Sequence, residues 1–392
     1  MLHHKYLGLL VYLVYLFYFA AEGILYPFWP IWLKSIGYSH GEIGVLLGAA
    51  YWPQIFVGLS LAYLADWRFC QLRLASIAAL LSTLCIALFY LPHNSYLYLA
   101  LAALYGGMWN SVLPLSETYL LAKERKKEID YGRVRAVGSL SFIVLSICGG
   151  GLLTLFGQNI VPSLVATCMA LTALSCSFLS KTHPNKIVTP EAEIRKHHPP
   201  DWRKLRHHPA LLLCFCSAGL IQLSHCLYFV TASNYWLQLG YSSTWVGIFW
   251  AVAVIAEIIY FALSGGVLRK VSPLTVIMLS GLFAALRWAL ALFESSLVLI
   301  LFGQLLHALS FGAYHSAVMR YIRDYAPSSL HTLTQGLYYS VAVALPMGLM
   351  IPIVGWLFDN IAIHAYYLMV AFALSGALTA YLATRLKGEK HG

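Results

Sequence analysis

Charge is what this chain of 392 residues has least of: Asp, Glu, Lys and Arg make up 10% of it, against 60% hydrophobic residues. Soluble domains carry about a quarter charged residues, so a water-facing enzyme or binding module has no polar coat here and is excluded. Cysteine is sparse and unpaired in pattern. The eight cysteines lie singly in apolar stretches or, for Cys70, in a polar loop, and no Cys/His spacing closes a zinc site, so neither disulfide nor structural metal is expected. No nucleophile, metal constellation or glycine-rich phosphate loop is visible, which argues against a membrane-embedded enzyme that would use a histidine as base. The first apolar stretch is too long for a signal peptide's apolar region and no small-residue cleavage site follows it, so it reads as a retained helix.

What the chain does have is apolar length, repeated. Stretches of about 20 residues, enough to cross a bilayer core, recur between short polar clusters. Twelve are expected, at 7–33, 41–65, 72–91, 96–121, 135–157, 160–180, 209–238, 243–268, 273–293, 296–322, 330–358 and 364–385. The fold class is an all-α membrane protein of twelve transmembrane helices.

The net charge of +10 does not call for nucleic acid. With the N-terminus placed in the cytoplasm, Lys34 falls outside and Arg135 and Arg287 fall within spans, and the remaining 22 of the 25 basic residues lie in cytoplasmic segments (25 − 3 = 22). That is the positive-inside pattern, and it puts both termini in the cytoplasm.

Composition breaks once. Residues 181–208 hold four prolines, seven basic residues and five histidines, and read as a hydrated cytoplasmic linker. It separates an N-terminal bundle of six helices, 1–180, from a C-terminal one, 209–392. The halves repeat: Gly37, Tyr38, Ser39 and Gly44 return as Gly240, Tyr241, Ser242 and Gly247, an offset of 203. Carried through the flanking helices, the offset sets Gln54 opposite Glu257 and Glu22 opposite His225. A repeat in one orientation predicts a solute site near the midplane between the halves.

Five acidic or basic residues are placed within the membrane, away from the first and last few residues of a span or at a depth shared with a partner: Glu22, Glu117, Arg135, Glu257 and Arg287. Each costs about 2.5–3.5 kcal/mol on insertion scales, so they must pair or line a wet cavity. Glu117 and Arg135 fall at similar depth on neighbouring spans and can pair. Asn110, two helical turns before Glu117, extends that polar face. In the second half, Glu257, Arg287, His307 and His315 have the make-up of proton machinery, with a carboxylate, an arginine beside it and histidines of near-neutral intrinsic pKa. Eight residues separate His307 from His315, about 80° round a helix. Glu22, flanked by Tyr15, Tyr18 and Tyr26 at helical spacing, is expected to contact solute, as are Gln222, His225 and Gln304. Trp109 could serve as a stacking platform. Trp29, Trp52, Trp236 and Trp288 read as interfacial belt residues.

These residues carry a resemblance. In the first half it rests on Pro27, Phe28, Trp29, on Pro114, Leu115, Ser116, Glu117, and on Asp130, Tyr131, Gly132, Arg133, Val134, Arg135. In the second half it rests on Ala256, Glu257, on Arg287, Trp288, and on Gln304, Leu306, His307, His315, Met319, Arg320. In them the chain resembles the phenylpropionate permease family of the major facilitator superfamily, related to the lactose permease and the nucleoside–proton symporters.

The resemblance implies the major facilitator fold of two pseudo-symmetric six-helix bundles. It also implies a bacterial inner membrane, a monomer, a small-molecule solute, no nucleic-acid partner and no cofactor beyond protons as coupling ion. It assigns solute binding to Glu117 with Arg135, proton coupling to Glu257, Arg287 and His307, and a worn cytoplasmic gating motif to Asp66 and Arg68. The chain departs from the family in having an acid at Glu22, which would repel an aromatic carboxylate or serve a cationic or hydroxyl-rich solute. The function expected is a proton-coupled symporter that imports an aromatic acid, sugar or nucleoside by alternating access. The rivals are an efflux antiporter run by the same residues and a non-transporting membrane sensor or scaffold.

Overall fold

The computed structural model describes residues 2–92, 94–182, 208–267, 270–293, 296–326 and 331–388. Among them there is no strand, as lipid requires, since only a helix satisfies its backbone groups within one segment. The first six spans are the helices Leu2–Ser35, His40–Trp67, Gln71–Leu88, Ser95–Arg125, Tyr131–Phe156 and Val161–Thr182. The seventh breaks into Pro209–Leu223 and Cys226–Gln238, and Ser243–Val267 and Pro273–Ala291 follow. The tenth runs Leu297–Leu305, a π turn at Ala308–Gly312, then Ala313–Tyr325. The eleventh runs His331–Leu337, a π segment at Tyr338–Ala344, then Leu345–Ile361, and Tyr366–Gly388 closes the series.

Among the described residues ten segments are long and apolar enough to cross a membrane. One of them, Thr334–Leu386, holds two helices joined by the 3-10 turn Ala362–Ala365, and Ser95–Arg125, which carries Asn110 and Glu117, makes the twelfth span. Most of the linker lies outside the described residues.

Local chemistry sets the ends. Asn94 Oδ1 accepts from the amides of Tyr96 and Leu97 at 3.0 and 3.1 Å to start the fourth span, and Asp130 accepts from Arg133 N at 3.1 Å to start the fifth. That cap starts the fifth helix at Tyr131, four residues earlier than expected, which leaves Arg135 one turn inside it. The repeated glycines end the first and seventh spans in the same way: Gly37 and Gly240 have φ of +103° and +92°. In both, the following tyrosine amide returns to the carbonyl five residues back, Tyr38 to Leu33 and Tyr241 to Trp236, at 3.2 and 3.1 Å. This is the Schellman closure, which needs a left-handed residue where a side chain would be strained.

By packing the chain forms two units, one of Met1–Tyr38, Val45–Ile194 and Ser233–Ala251, the other of Ser39–Gly44, Arg195–Ala232 and Val252–Gly392. Each therefore takes in a short segment from the opposite half of the sequence; one holds Ser39 and Gly44 of the first copy of the repeated motif, the other the whole second copy, Gly240 to Gly247. In the second unit, Gly44 lies so close to the eleventh span that a Cβ on it would sit 2.6 Å from the Ile351 carbonyl oxygen. In the first, Gly247 lies in the same way against the Ser146 carbonyl on the fifth span.

Trp29, Trp236 and Trp288 are buried, so they are core residues and not the interfacial belt expected of such positions, and Trp109 is buried as well. Trp29 packs with Trp32 and Phe89 at ring separations of 4.9 and 5.1 Å. The outward faces are instead apolar, with Phe56, Leu263 and Val298 among the exposed side chains, as lipid-facing surfaces require.

The start of the second span is capped twice over. Ser39 and Glu42 form a reciprocal capping box, Ser39 N to Glu42 Oε2 at 2.8 Å and Glu42 N to Ser39 Oγ at 3.2 Å. Asp359, from the eleventh span, takes the two amides in between, His40 N at 3.1 Å and Gly41 N at 2.7 Å, and accepts from the His40 ring Nδ1 at 2.7 Å. A carboxylate on a helix N-terminus is also favoured by the helix dipole. Asp359→Ala is expected to cost about 1–3 kcal/mol and to lower the thermal unfolding midpoint of the purified protein. Asp359→Asn keeps an acceptor and should lose less. Equal midpoints for all three proteins would contradict the role given to this contact.

Candidate solute and proton sites

In the second unit the expected proton group is assembled. Arg287 is 2% exposed on the ninth span, and its guanidinium lies over the rings of Tyr228 and Trp288, 4.8 and 4.5 Å from their centroids. Its Nη1 meets His307 Nδ1 at 2.8 Å, and its Nη2 donates to Gln304 Oε1 at 3.2 Å. His307 Nε2 lies 3.4 Å from Glu257 Oε1.

The tautomer follows from the partners. Arginine only donates, so Nδ1 of His307 is the acceptor and the ring proton sits on Nε2, aimed at the Glu257 carboxylate. Adding a second proton would set N–H against N–H at Arg287. The histidine can be protonated only when Arg287 withdraws, and Arg287 also holds Gln304, which accepts from Tyr228 Oη at 3.0 Å.

His315 stands apart from that group. The rings of His307, Phe311 and His315 form a parallel column, with centroids 5.0 and 6.4 Å apart and interplanar angles of 10° and 5°. An α-helix would have set the two histidines about 80° apart. The π turn at Ala308–Gly312, with its i→i+5 pairing, takes up that offset and brings all three rings to one face. His315 Nε2 meets Tyr339 Oη at 3.3 Å, away from Glu257.

Three expected solute contacts are enclosed instead, Gln304 against Arg287 and Tyr228 and two others. Gln222 accepts a short hydrogen bond from Tyr314. His225 is fully buried, its rim against Trp288 and Phe311 at 5.0 and 5.6 Å. Its Nδ1 donates to the Ile221 carbonyl at 2.9 Å at the break in the seventh span, so it holds the opposite tautomer to His307. The helical repeat put His225 on the face of Glu22, but the break turns it into the core.

In the first unit Glu117 and Arg135 are near one another, yet they form no ion pair. Glu117 accepts from Tyr131 Oη at 3.2 Å. Arg135 lies over the Phe19 ring at 4.2 Å, with Nη1 3.4 Å from Ser139 Oγ. Glu22 is half-buried, with Tyr18, Trp109 and Arg135 as its polar neighbours. Asn110 is exposed and donates to the Gly106 carbonyl at 2.8 Å. Arg68 is exposed past the second span, and the Asp66 side chain lies outside the described ones. Among the described residues no group of His, Cys, Asp and Glu could hold a metal.

The chain has relatives among known proteins. A model of the MFS_1 like family matches residues 9–369. The chain belongs to this family. It is 28% identical over 365 residues to a probable 3-phenylpropionic acid transporter of Escherichia coli, covering 92% of this chain and 93% of that one. It is 22% identical over 379 residues to a maltose permease of Geobacillus stearothermophilus, covering 95% and 93%. Among solved structures a nucleoside transporter, NupG, superposes with a TM-score of 0.79 over 96% of this chain and 99% of that one, at 12% identity. A bacterial homologue of the lysosomal transporter Spinster reaches 0.74 over 98% and 97%, at 14% identity. This MFS_1-like chain therefore has the major facilitator fold and is a multi-pass membrane protein whose relatives are transporters.

Reading the sequence missed the tyrosines that serve the charges. Tyr131 precedes Arg135 by one turn, so the Asp130 cap could have pointed to it. Nothing in the sequence marks Tyr228 or Tyr314 as the hydroxyls of Gln304 and Gln222. The tautomer assigned to His307 is open to direct measurement. Nitrogen NMR on histidine-labelled protein, taken as a difference from His307→Asn, should show a neutral ring protonated on Nε2. A proton on Nδ1 would contradict the Arg287 contact.

Proposed function

We propose that this MFS_1-like protein is a proton-coupled symporter that imports a small organic solute by alternating access. The observation that carries the reading is the line Glu257, His307, Arg287, Gln304, Tyr228, in which one buried guanidinium fixes the protonation of a histidine and the contacts of spans seven, nine and ten. A proton taken by Glu257 removes the anion that the His307 N–H faces. The ring can then turn, and Arg287 loses its acceptor at Nδ1. Guanidinium and proton therefore compete for one histidine, and the helices that hold the guanidinium feel the outcome. Such a link between protonation and helix contacts is what a symporter needs and a scaffold does not.

Glu257, Arg287 and His307 are the coupling residues in this reading, with His315 at the far end of the ring column. Glu22, Asn110, Glu117 and Arg135 meet the solute. Gln304 holds Arg287 in place, His225 backs the group, and Gln222 is bonded to Tyr314. The protein acts as a monomer without a cofactor, in a bacterial inner membrane with both termini in the cytoplasm.

The test is proton movement in proteoliposomes loaded with a pH-sensitive dye and challenged in turn with aromatic acids, sugars and nucleosides. One class of solute should drive protons inward with the wild-type protein. Glu257→Gln should abolish that movement while leaving exchange of radiolabelled solute. Solute uptake whose proton movement survives Glu257→Gln would remove the coupling role.

A further inference from the structure

The solute side of the first unit has an uneven inventory of polar groups. Two carboxylates, Glu22 and Glu117, share the surroundings of one guanidinium, Arg135. Each has capacity to spare. Ionised carboxylates offer about four acceptor sites each and a guanidinium five donors. Within the protein, Glu22 takes hydrogen bonds from Tyr18 and Trp109, Glu117 meets Tyr131, and Arg135 meets Ser139 and the Phe19 face. Tyr15, on the helix-one stripe that continues through Tyr18, Glu22 and Tyr26, adds a hydroxyl that is buried without a hydrogen-bond partner and has Glu117, Tyr131 and Arg135 for neighbours. Buried hydroxyls are nearly always bonded, so one left over beside unspent charges points to a group brought from outside. One open flat surface lies on the same stripe: Tyr26 is exposed and stacked on the buried Trp250, with centroids 6.2 Å apart and planes at 15°.

We propose that Glu22 sets the charge preference of the solute, so that the site takes an uncharged, hydroxyl-bearing molecule with a flat face, a nucleoside or an aryl glycoside, and disfavours an aromatic carboxylate. The inference rests on the reading of the chain as a transporter. A hydroxyl both donates and accepts, so a polyol can serve the carboxylates, the guanidinium and Tyr15 together, while a base or aryl ring lies on the exposed Tyr26 face. A carboxylate solute only accepts. It would satisfy Arg135 alone and set a third carboxyl group beside one guanidinium. An organic cation suits the carboxylates but leaves the guanidinium's donors without acceptors and adds a like charge to it.

The experiment is isothermal titration of the purified full-length protein at neutral pH with uridine, phenyl β-glucoside, 3-phenylpropionate and phenylethylammonium. The wild-type protein should bind uridine or the glucoside and not the acid. Glu22→Gln should weaken polyol binding about tenfold to a hundredfold, the range for losing a hydrogen bond to a charged group, and should admit 3-phenylpropionate. Glu22→Asp keeps the charge and should keep the rejection of the acid, which separates charge from misfolding. Wild-type binding of the acid, preference for the cation, or the same profile in Glu22→Gln as in wild type would overturn the proposal. Titration needs no gradient, so the two readings fail separately. A protein that binds uridine but moves no solute breaks the transport reading, and one that transports the acid and binds neither polyol breaks this one.

Discussion

A guanidinium inside a membrane span has no water to lean on, and Arg287 is 2% exposed. Charges at that depth cost several kcal/mol unless neighbouring groups replace the lost hydration. The replacements come from four stretches of chain: Tyr228 and Trp288 give ring faces, His307 and Gln304 give acceptors, and Glu257 gives countercharge through His307. Each replacement constrains the backbone that carries it. The seventh span breaks at Ser224 and His225, where Ser224 Oγ accepts from Trp288 Nε1 at 3.1 Å. The tenth widens into a π turn directly after His307. Both irregularities gather round Arg287, so the second unit is shaped by one charge as much as by its apolar surface.

The first unit carries the same ingredients under a looser constraint. Arg135 is only half-buried, and its acceptors are a serine hydroxyl and the face of Phe19 rather than a histidine and a glutamine. Positions that the repeat pairs have opposite fates: Glu22 stays half open beside Trp109, while His225 is sealed behind His307. Duplication of a six-helix plan therefore left one copy with its charges saturated by the protein and the other with capacity to spare. Saturated charges suit a switch, which needs two defined states. Unspent ones suit binding, which needs groups free to meet a solute.

How far the sequence reveals this depends on the range of each interaction. Span length and the Gly-Tyr-Ser repeat are local properties, and they were legible: Gly37 and Gly240 close their helices identically, and the expected spans agree with the helices to within a few residues at most ends. The charges were legible as well, because an ionisable residue in an apolar stretch stands out whatever surrounds it. Their partners were not. Tyr131, Tyr228 and Tyr314 are three of 26 tyrosines, and only tertiary packing decides which hydroxyl reaches which carboxylate or amide. The π turns escape for a related reason. They obey no local residue preference and arise where a buried side chain must be swung to a partner, as His307, Phe311 and His315 show. The tryptophans were misjudged because a belt residue and a core residue have the same composition and differ only in what packs on them.

The repeat also shows which contacts are general and which are additions. Gly44 and Gly247 both let their helices reach a backbone carbonyl directly, at Ile351 and at Ser146, and Gly355 and Gly150 do the same from the other side, at His40 and Ser243. A Cβ at any of the four would collide with backbone, which cannot yield as a flexible side chain can, so close approach is common to both joints. The polar contacts differ. Ser39, Glu42 and Asp359 satisfy the opening amides of the second span, whereas at the eighth Ser242 Oγ accepts from Trp245 N at a long 3.4 Å and Thr154 meets Thr244 at 3.5 Å. Neutral hydroxyl contacts of that length contribute little, while a carboxylate on two helix amides is charge-assisted and anchored by the dipole. Of two joints built on the same glycine geometry, the one at the second span is therefore held by a carboxylate on helix amides, and the one between the fifth and eighth spans by neutral hydroxyl contacts.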